Sequence, residues 1–356
     1  MKHKFPYRWT LKDAVFTKDK GKVFSCFACG GGSSMGYKLA GYDVIGCNEI
    51  DPKMMAAYKA NLNPKYAFLE DIRTFKDRTD LPDELYHLGI LDGSPPCSSF
   101  SMAGNREDDW GKEKVFREGQ AEQVLDTLFF DFIDLAAKLQ SKVVIAENVK
   151  GLMMGEAWTY MREIYKRFDE AGYYCQHWLL DASKMGVPQR RERVFFVCLR
   201  KDLAEPFLYQ ADMFTMLPML KLEFKEAEIL WNIIMDDNTD RLLSGEALRL
   251  WGGREYGDID LENISKRGGR PNFMFNHKFL YKSKVANTIT GSDNCCLFDK
   301  PRYRGLFELC KCGTFPSDYL FNDNKPEYLI GMSVPPVMMA QVASEVYEQW
   351  LSKINP

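Results

Sequence analysis

The stretch Gly93-Ser94-Pro95-Pro96-Cys97-Ser98-Ser99-Phe100-Ser101 follows a strand-like run, Leu88–Asp92. A cysteine on a proline-stiffened turn at the end of a strand is poorly placed for core packing. It is well placed to present its sulfur to a substrate as a nucleophile. About fifty residues on, the apolar run Val143-Val144-Ile145-Ala146 leads into Glu147-Asn148-Val149, a second strand ending on a potential acid. Upstream, Phe27-Ala28-Cys29-Gly30-Gly31-Gly32 joins a strand to a helix. Glycines there let backbone approach a ligand, and the helix N-terminus offers unpaired N–H groups. The next strand ends at Asn48-Glu49, an acid placed to bind ribose hydroxyls. A nucleotide-type loop, a nucleophile and an acid, each at a strand end, indicate one enzyme site. The loop alone suits NAD or S-adenosylmethionine, but it is not G-x-G-x-x-G and no hydride-transfer site is visible.

These residues need a frame, and the first half of the chain supplies one. Strands are predicted over Val23–Phe27, Val44–Asn48, Tyr66–Leu69, Leu88–Asp92 and Val143–Ala146, with helical patterns between them. Gly41 stops the helix Ser34–Ala40, and Pro52 starts the next. Leu125–Leu139 carries a helical apolar stripe, and Val143–Ala146 is continuous enough to be buried on both faces. The alternation predicts an α/β fold with a doubly wound parallel sheet. Tyr174–Asp181 and Arg193–Arg200 read as two further strands, candidates for antiparallel pairing. Beyond Arg200 the periodicity weakens and Gly-Gly pairs appear at 252–253 and 268–269. Val337–Leu351 is then an amphipathic helix long enough to return to the first core. The boundaries read as 1–200 for a catalytic and cofactor-binding domain, 201–300 for a small second domain, and 301–356 for a returning segment.

Length and composition fit one large and one small domain. No apolar run reaches membrane-spanning length and the N-terminus lacks a signal-peptide core, so a cytoplasmic protein is expected. Ten cysteines are too sparse for a disulfide scaffold, and four histidines without matching cysteine spacing argue against a metal. The net charge of −3 gives no global reason to expect nucleic acid. Its distribution does: Ile264–Arg304 holds nine Lys/Arg against Asp293 and Asp299, a segment suited to a polyanion.

The order of motifs resembles that of the C5-cytosine methyltransferases over nearly the whole chain. FACGGG at 27–32 resembles their cofactor loop, and NEID at 48–51 and EDI at 70–72 their adenosine contacts. SPPCSSFS at 94–101 resembles the Pro-Cys nucleophile loop and ENVKGL at 147–152 the Glu-Asn-Val motif. PQRRERVFFV at 188–197 resembles the Q-x-R-x-R strand, and FPSDYLF at 315–321 and GMSVPP at 331–336 the closing motifs. The resemblance implies a Rossmann-like S-adenosylmethionine-dependent methyltransferase domain with a small target-recognition domain. It implies catalytic roles for Cys97, Glu147, Arg191 and Arg193, with Arg191 on the base oxygen O2. Cofactor contacts are implied for Phe27, Cys29, Gly31, Gly32, Glu49, Ile50, Asp71, Ile72, Pro96, Met332 and Ser333. Two positions depart from the pattern: Cys29 stands at a usual glycine and Met332 at a usual asparagine.

By the same resemblance, Cys97 adds to C6 of a flipped cytosine in duplex DNA while Glu147 protonates N3, and the methyl group goes to C5. Ser98–Gly119 reads as a loop that closes over the base. Candidate DNA contacts are Ser101, Gln189, Arg267, Arg270, Lys282, Lys284 and Thr288, with Asn272 and Asn276 as further readers. The implied setting is restriction-modification, with a cognate restriction endonuclease as functional partner; the absence of evident interface patterns suggests a monomer. Three rivals stand beside this reading: the tRNA-acting branch of the family, a non-catalytic DNA-binding relative, and a dehydrogenase.

Overall fold

The computed structural model describes residues 3–96, 113–114, 123–124, 127–154, 157–212, 215–236 and 241–354. Cys97, Ser101 and most of the loop 98–119 lie outside them. The chain divides into two compact units. A sheet unit comprises Val15–Leu180, Glu192–Glu223 and Met339–Pro356, and a companion unit Met1–Ala14, Asp181–Arg191 and Phe224–Met338. These boundaries interleave segments that a reading along the chain keeps apart: 1–14 and 181–191 belong with 224–338.

The sheet unit is built on seven strands, numbered along the chain: β1 Lys22–Cys26, β2 Asp43–Glu49, β3 Tyr66–Leu69, β4 Ile90–Gly93, β5 Val143–Val149, β6 Tyr173–Asp181 and β7 Glu192–Arg200. Their spatial order is β3-β2-β1-β4-β5-β7-β6. The pairs β1–β2, β2–β3, β1–β4 and β4–β5 are parallel, and β7 runs antiparallel to β5. The order reverses between β1 and β4, so the loops leaving these paired strands diverge at a switch point, where open α/β sheets bind ligands. Helices α1 Gly32–Leu39, α2 Pro52–Leu62, α3 Ile72–Asp77, α4 Leu128–Leu139 and α5 Ala157–Glu170 connect the strands. Asp51 caps α2 by accepting the Lys53 and Met54 N–H groups, with Pro52 as its first residue.

Apolar alternation becomes packing in one large cluster. Phe24, Phe75, Phe129, Phe132, Phe168 and Phe196 are all buried in it. Phe24 and Phe75 stack with centroids 5.5 Å apart, tying β1 to α3. Gly93 is fixed by this packing, since a Cβ there would sit 2.5 Å from the Phe132 ring. The companion unit carries its own small core of Leu243, Leu250, Leu261, Phe279 and Tyr281 around helices Gly245–Gly252 and Leu261–Arg267. Residues 1–20, to which the sequence assigns no role, contribute Trp9 to this unit, its indole N–H donating to the Thr314 carbonyl at 2.8 Å. Among the described residues, Pro326–Lys353 is long and apolar enough by composition to cross a membrane, but 89% of its most apolar window is buried inside the protein.

Candidate active site

The glycine loop leaves β1 with Phe27 at φ 51°, Cys29 at φ 48° and Gly31 at φ 81°. Three left-handed residues in five, two of them not glycine, concentrate strain where the chain turns from strand to helix. The cause is local. The Ala28 N–H reaches the Asn48 carbonyl at 3.3 Å, the Cys29 N–H reaches Glu49 Oε2 at 2.7 Å, and the Gly31 N–H closes on Ala28 at 2.8 Å. The Cys29 sulfur turns to Met54 Sδ, 3.7 Å away on α2. Helix α1 opens at Gly31 without a side-chain cap, so its first N–H groups are suited to a ligand.

Glu49 ends β2 almost fully buried, and its Oε1 accepts the Ile50 and Asp51 N–H groups at 2.9 Å each. Burial pushes its carboxyl above the usual range, against the downward pull of these backbone donors and of Cys29. Ile50 beside it is 37% exposed, an apolar face next to an acid. This donor and acceptor set suits an adenosine: a carboxylate for hydroxyls, an apolar surface for a base, and free amides for a polar tail. Asp71 caps α3 and is engaged by Arg73, whose Nε lies 3.0 and 3.1 Å from its two oxygens. Burial opposes its charge, but Arg73 holds the carboxyl below its ordinary value. Ile72 is buried in the core cluster, so its side chain serves packing.

The second loop leaves β4, next to β1 in the sheet. Its described part ends at Pro96, and the Pro95 carbonyl accepts from the Asn148 amide at 3.2 Å. Asn148 thereby ties the root of the Cys97 loop to the end of β5. Glu147 precedes it, buried, and pairs in register with Phe195 of β7. Arg193 pairs with Val149, so it is the diagonal neighbour of Glu147 on the same sheet face. Its Nε lies 2.9 Å from Glu147 Oε1. The N–H is not aligned with that oxygen, which accepts no hydrogen bond among the described residues. Burial lowers the Arg193 pKa, with Glu147 opposing that shift. A buried carboxylate beside a guanidinium, with one oxygen still able to take a donor, can hold or hand over a proton at a bound ring.

The two arginines of Q-x-R-x-R divide their work, because β7 begins only at Glu192. Arg191 lies before it in the companion unit, where the Arg190 N–H donates to the Ala286 carbonyl at 2.9 Å. The buried Arg191 guanidinium donates to the carbonyls of Ile289 at 3.3 Å, Gly331 at 3.0 Å and Ser333 at 3.1 Å. The two terminal nitrogens of Arg191 thus bind backbone carbonyls, whereas Arg193 is the arginine whose guanidinium lies beside the acid. Gln189 is likewise buried, its amide engaged with the Cys312 carbonyl at 3.0 Å and the Ile289 N–H at 2.9 Å. Ser333 is buried, its hydroxyl donating to the Leu329 carbonyl at 2.8 Å, whereas Met332 is exposed.

The basic segment is less bare than its sequence suggests. Arg267 is chelated by Asp258 at 2.6 and 2.9 Å, Arg270 pairs with Glu246 at 2.7 Å, and Lys282 with Asp299 at 2.7 Å. Lys284 projects over the Tyr281 ring at 5 Å or less, with its ammonium 4.7 Å from the centroid. Thr288 is half-buried and donates to the Arg190 carbonyl. Two of the neutralising acids, Glu246 and Asp258, lie upstream of the segment. Asp92 was missed by sequence reasoning: it is buried on β4, directly opposite Ser25 of β1. The signal was available, an acid interrupting the apolar run Leu88–Leu91.

The family model described as C-5 cytosine-specific DNA methylase matches residues 21–348. Similar curated proteins include the Type II methyltransferase M.NgoPII of Neisseria gonorrhoeae, 36% identical over 53% of this chain. Another is M1.HphI of Haemophilus parahaemolyticus, 28% identical over 90% of this chain and 85% of its own length. The chain spans about half the length of the first curated relatives it matches, 50% of M.NgoPII and 48% of M.FnuDI of Fusobacterium nucleatum. Among solved structures, DNMT2 of Spodoptera frugiperda superposes with a TM-score of 0.61 at 17% identity, covering 92% of this chain and 99% of that one. The last likeness is one of fold.

Proposed function

Since the chain belongs to the C-5 cytosine-specific DNA methylase family, we propose that it methylates C5 of a cytosine in a short duplex DNA motif, with S-adenosylmethionine as donor. The observation that carries the reading is the pairing of buried Glu147 with half-buried Arg193 at a strand end, joined through Asn148 to the root of the Cys97 loop. When bound, the donor supplies an electrophilic methyl group on a sulfonium. Phe27, Cys29, Gly31, Glu49 and Ile50 are the residues suited to hold it.

Cytosine C5 is a poor nucleophile until C6 carries an added group. In this reading the Cys97 thiolate forms the S–C6 bond, and the ring's electrons shift toward N3 and C5. Glu147 gives its proton to N3, and the Arg193 guanidinium, already beside it, takes the developing charge on O2. After C5 has gained its methyl group, loss of the C5 proton to a base expels the Cys97 thiolate, N3 returns its proton to Glu147, and the aromatic ring is restored. The cytosine must leave the stack for C6 to be reached, at a cost of a few kcal/mol. Lys284 and other exposed cations of the companion unit are suited to phosphates, and Asn272 and Asn276, both exposed, to base edges. The setting in this reading is a cytoplasm that also holds a cognate endonuclease.

Bisulfite sequencing of DNA from a methylation-free bacterium expressing this chain tests the proposal, beside a Cys97→Ala control. Protected cytosines within one motif, absent from the control, are expected. Full conversion in both, with folded protein present, refutes the DNA reading and directs attention to RNA.

A further inference from the structure

Asp92 is 1% exposed at the carboxyl end of β4, beneath the two loops that leave the sheet's switch point. Its Oδ2 accepts the Ser25 hydroxyl of β1 at 2.6 Å and its Oδ1 accepts the Tyr37 hydroxyl of α1 at 3.1 Å. These partners flank the glycine loop on both sides. Both donate, one to each carboxylate oxygen, which is the arrangement that suits an anion. Burial and the Asp92 charge raise the Tyr37 pKa far above its ordinary value, so Tyr37 stays a donor.

Among the described residues, the site has no counter-charge. The ionisable groups that feel Asp92, among the described residues, are Cys26 on β1, Tyr37 on α1, Tyr58 on α2 and Glu147 on β5. None is a cation. A mere staple between β1, α1 and β4 needs no charge, since a neutral amide would accept one hydroxyl with its oxygen and donate to the other. An ionised carboxylate buried without a cation is unfavourable unless a ligand brings one. Burial, with the nearby Glu147 charge, pushes the Asp92 carboxyl up to about 7, although both hydroxyls favour its ionised form.

We propose that Asp92 is the buried counter-charge of the methyl donor: its anion favours sulfonium-bearing S-adenosylmethionine over the sulfur-neutral product S-adenosylhomocysteine, and its proton goes to solvent when the donor binds. The proposal rests on the reading that loop 27–32 holds that donor. It makes Asp92 a positioning residue that favours donor entry and product exit, with no part in bond making.

Isothermal titration calorimetry on the full chain tests it, with each ligand separately at pH 5.5 and 7.5. The affinity ratio of donor to product is expected to rise about fivefold or more between these values. Donor binding near neutral pH releases protons, read from heats in buffers of different ionisation enthalpy. In Asp92→Asn the ratio and the proton release lose this pH dependence. A flat ratio in the wild type, or one unchanged by the substitution, overturns the proposal while leaving the methyltransferase reading intact. Binding of neither ligand at any pH overturns both. If Asp92→Asn does not fold, Tyr37→Phe removes one donor to the anion and must move the midpoint of the pH dependence upward; an unmoved midpoint overturns the proposal.

Discussion

Exchanging each arginine of the pair for lysine separates a clamp from a chemical group. Arg191 donates to three carbonyls from two nitrogens of one planar guanidinium. Lysine offers one nitrogen on a shorter reach and can keep one or two of these bonds. At about 1.5–3 kcal/mol for each hydrogen bond to a charged group, Arg191→Lys should cost about 2–4 kcal/mol. That corresponds to about 5–15 °C in the melting of a unit of this size. Arg193 lies with Nε beside Glu147 Oε1 and donates from Nη1 to the neighbouring Glu192 carbonyl at 2.8 Å, and an ammonium can reproduce the first contact as a point charge. Arg193→Lys should therefore melt within a few degrees of wild type, yet lose about a hundredfold in single-turnover methylation, the scale of removing one aligned donor from a developing oxyanion. The assays are thermal unfolding, single-turnover methylation of a duplex carrying the identified motif, and hydrogen exchange at Ile289 and Gly331. An Arg191→Lys protein with wild-type stability and exchange but no activity would refute the division and return Arg191 to the chemistry.

Asp293→Asn leaves the fully buried Arg304 guanidinium without the carboxylate that holds it at 2.7 and 3.0 Å. It should destabilise the companion unit by about 3–5 kcal/mol, measured by urea unfolding. Cys29→Gly relieves a left-handed residue and should raise stability by about 0.5–1 kcal/mol, read as a higher urea midpoint; a lower midpoint would mean that the Met54 contact outweighs the strain. Neutralising Lys282 and Lys284 together to Gln should weaken binding to all duplexes and reduce the salt slope by about 1–2, checked by titration at several salt concentrations. Asp92 titrates near 7 when folded and near 4 when unfolded, so its contribution is full below about pH 4 and declines, by about 4 kcal/mol in all, as pH rises to 7. The difference between wild-type and Asp92→Asn stability across pH 4–8 should carry that downward slope, and a level difference would contradict the assignment.

The frame of the site was legible because it depends on local pattern. β3 occupies its predicted range, Tyr66–Leu69, and the other sheet strands lie within one to three residues of theirs. The antiparallel pairing of β7 with β5 agrees with reading 193–200 as one of two antiparallel strands. Runs buried on both faces announce themselves by composition, and a glycine loop between strand and helix by its breakers. What stayed hidden depends on partners far away in sequence. Arg191 and Arg193 look equivalent at a spacing of two, and only the start of β7 at Glu192 and the carbonyls at 289, 331 and 333 tell them apart. Counting charges from 264 to 304 predicts a bare cationic surface, because Glu246 and Asp258 lie outside the window that was counted. Asp92 is the instructive case, since its local context was visible and its meaning was not. An acid in a buried strand must be neutral, paired or awaiting a cation, and only the identity of Ser25 and Tyr37 as donors narrows that choice. A buried acid that meets no cation among the described residues, at the foot of the loop proposed to hold the donor, is physical information about the charge of the ligand.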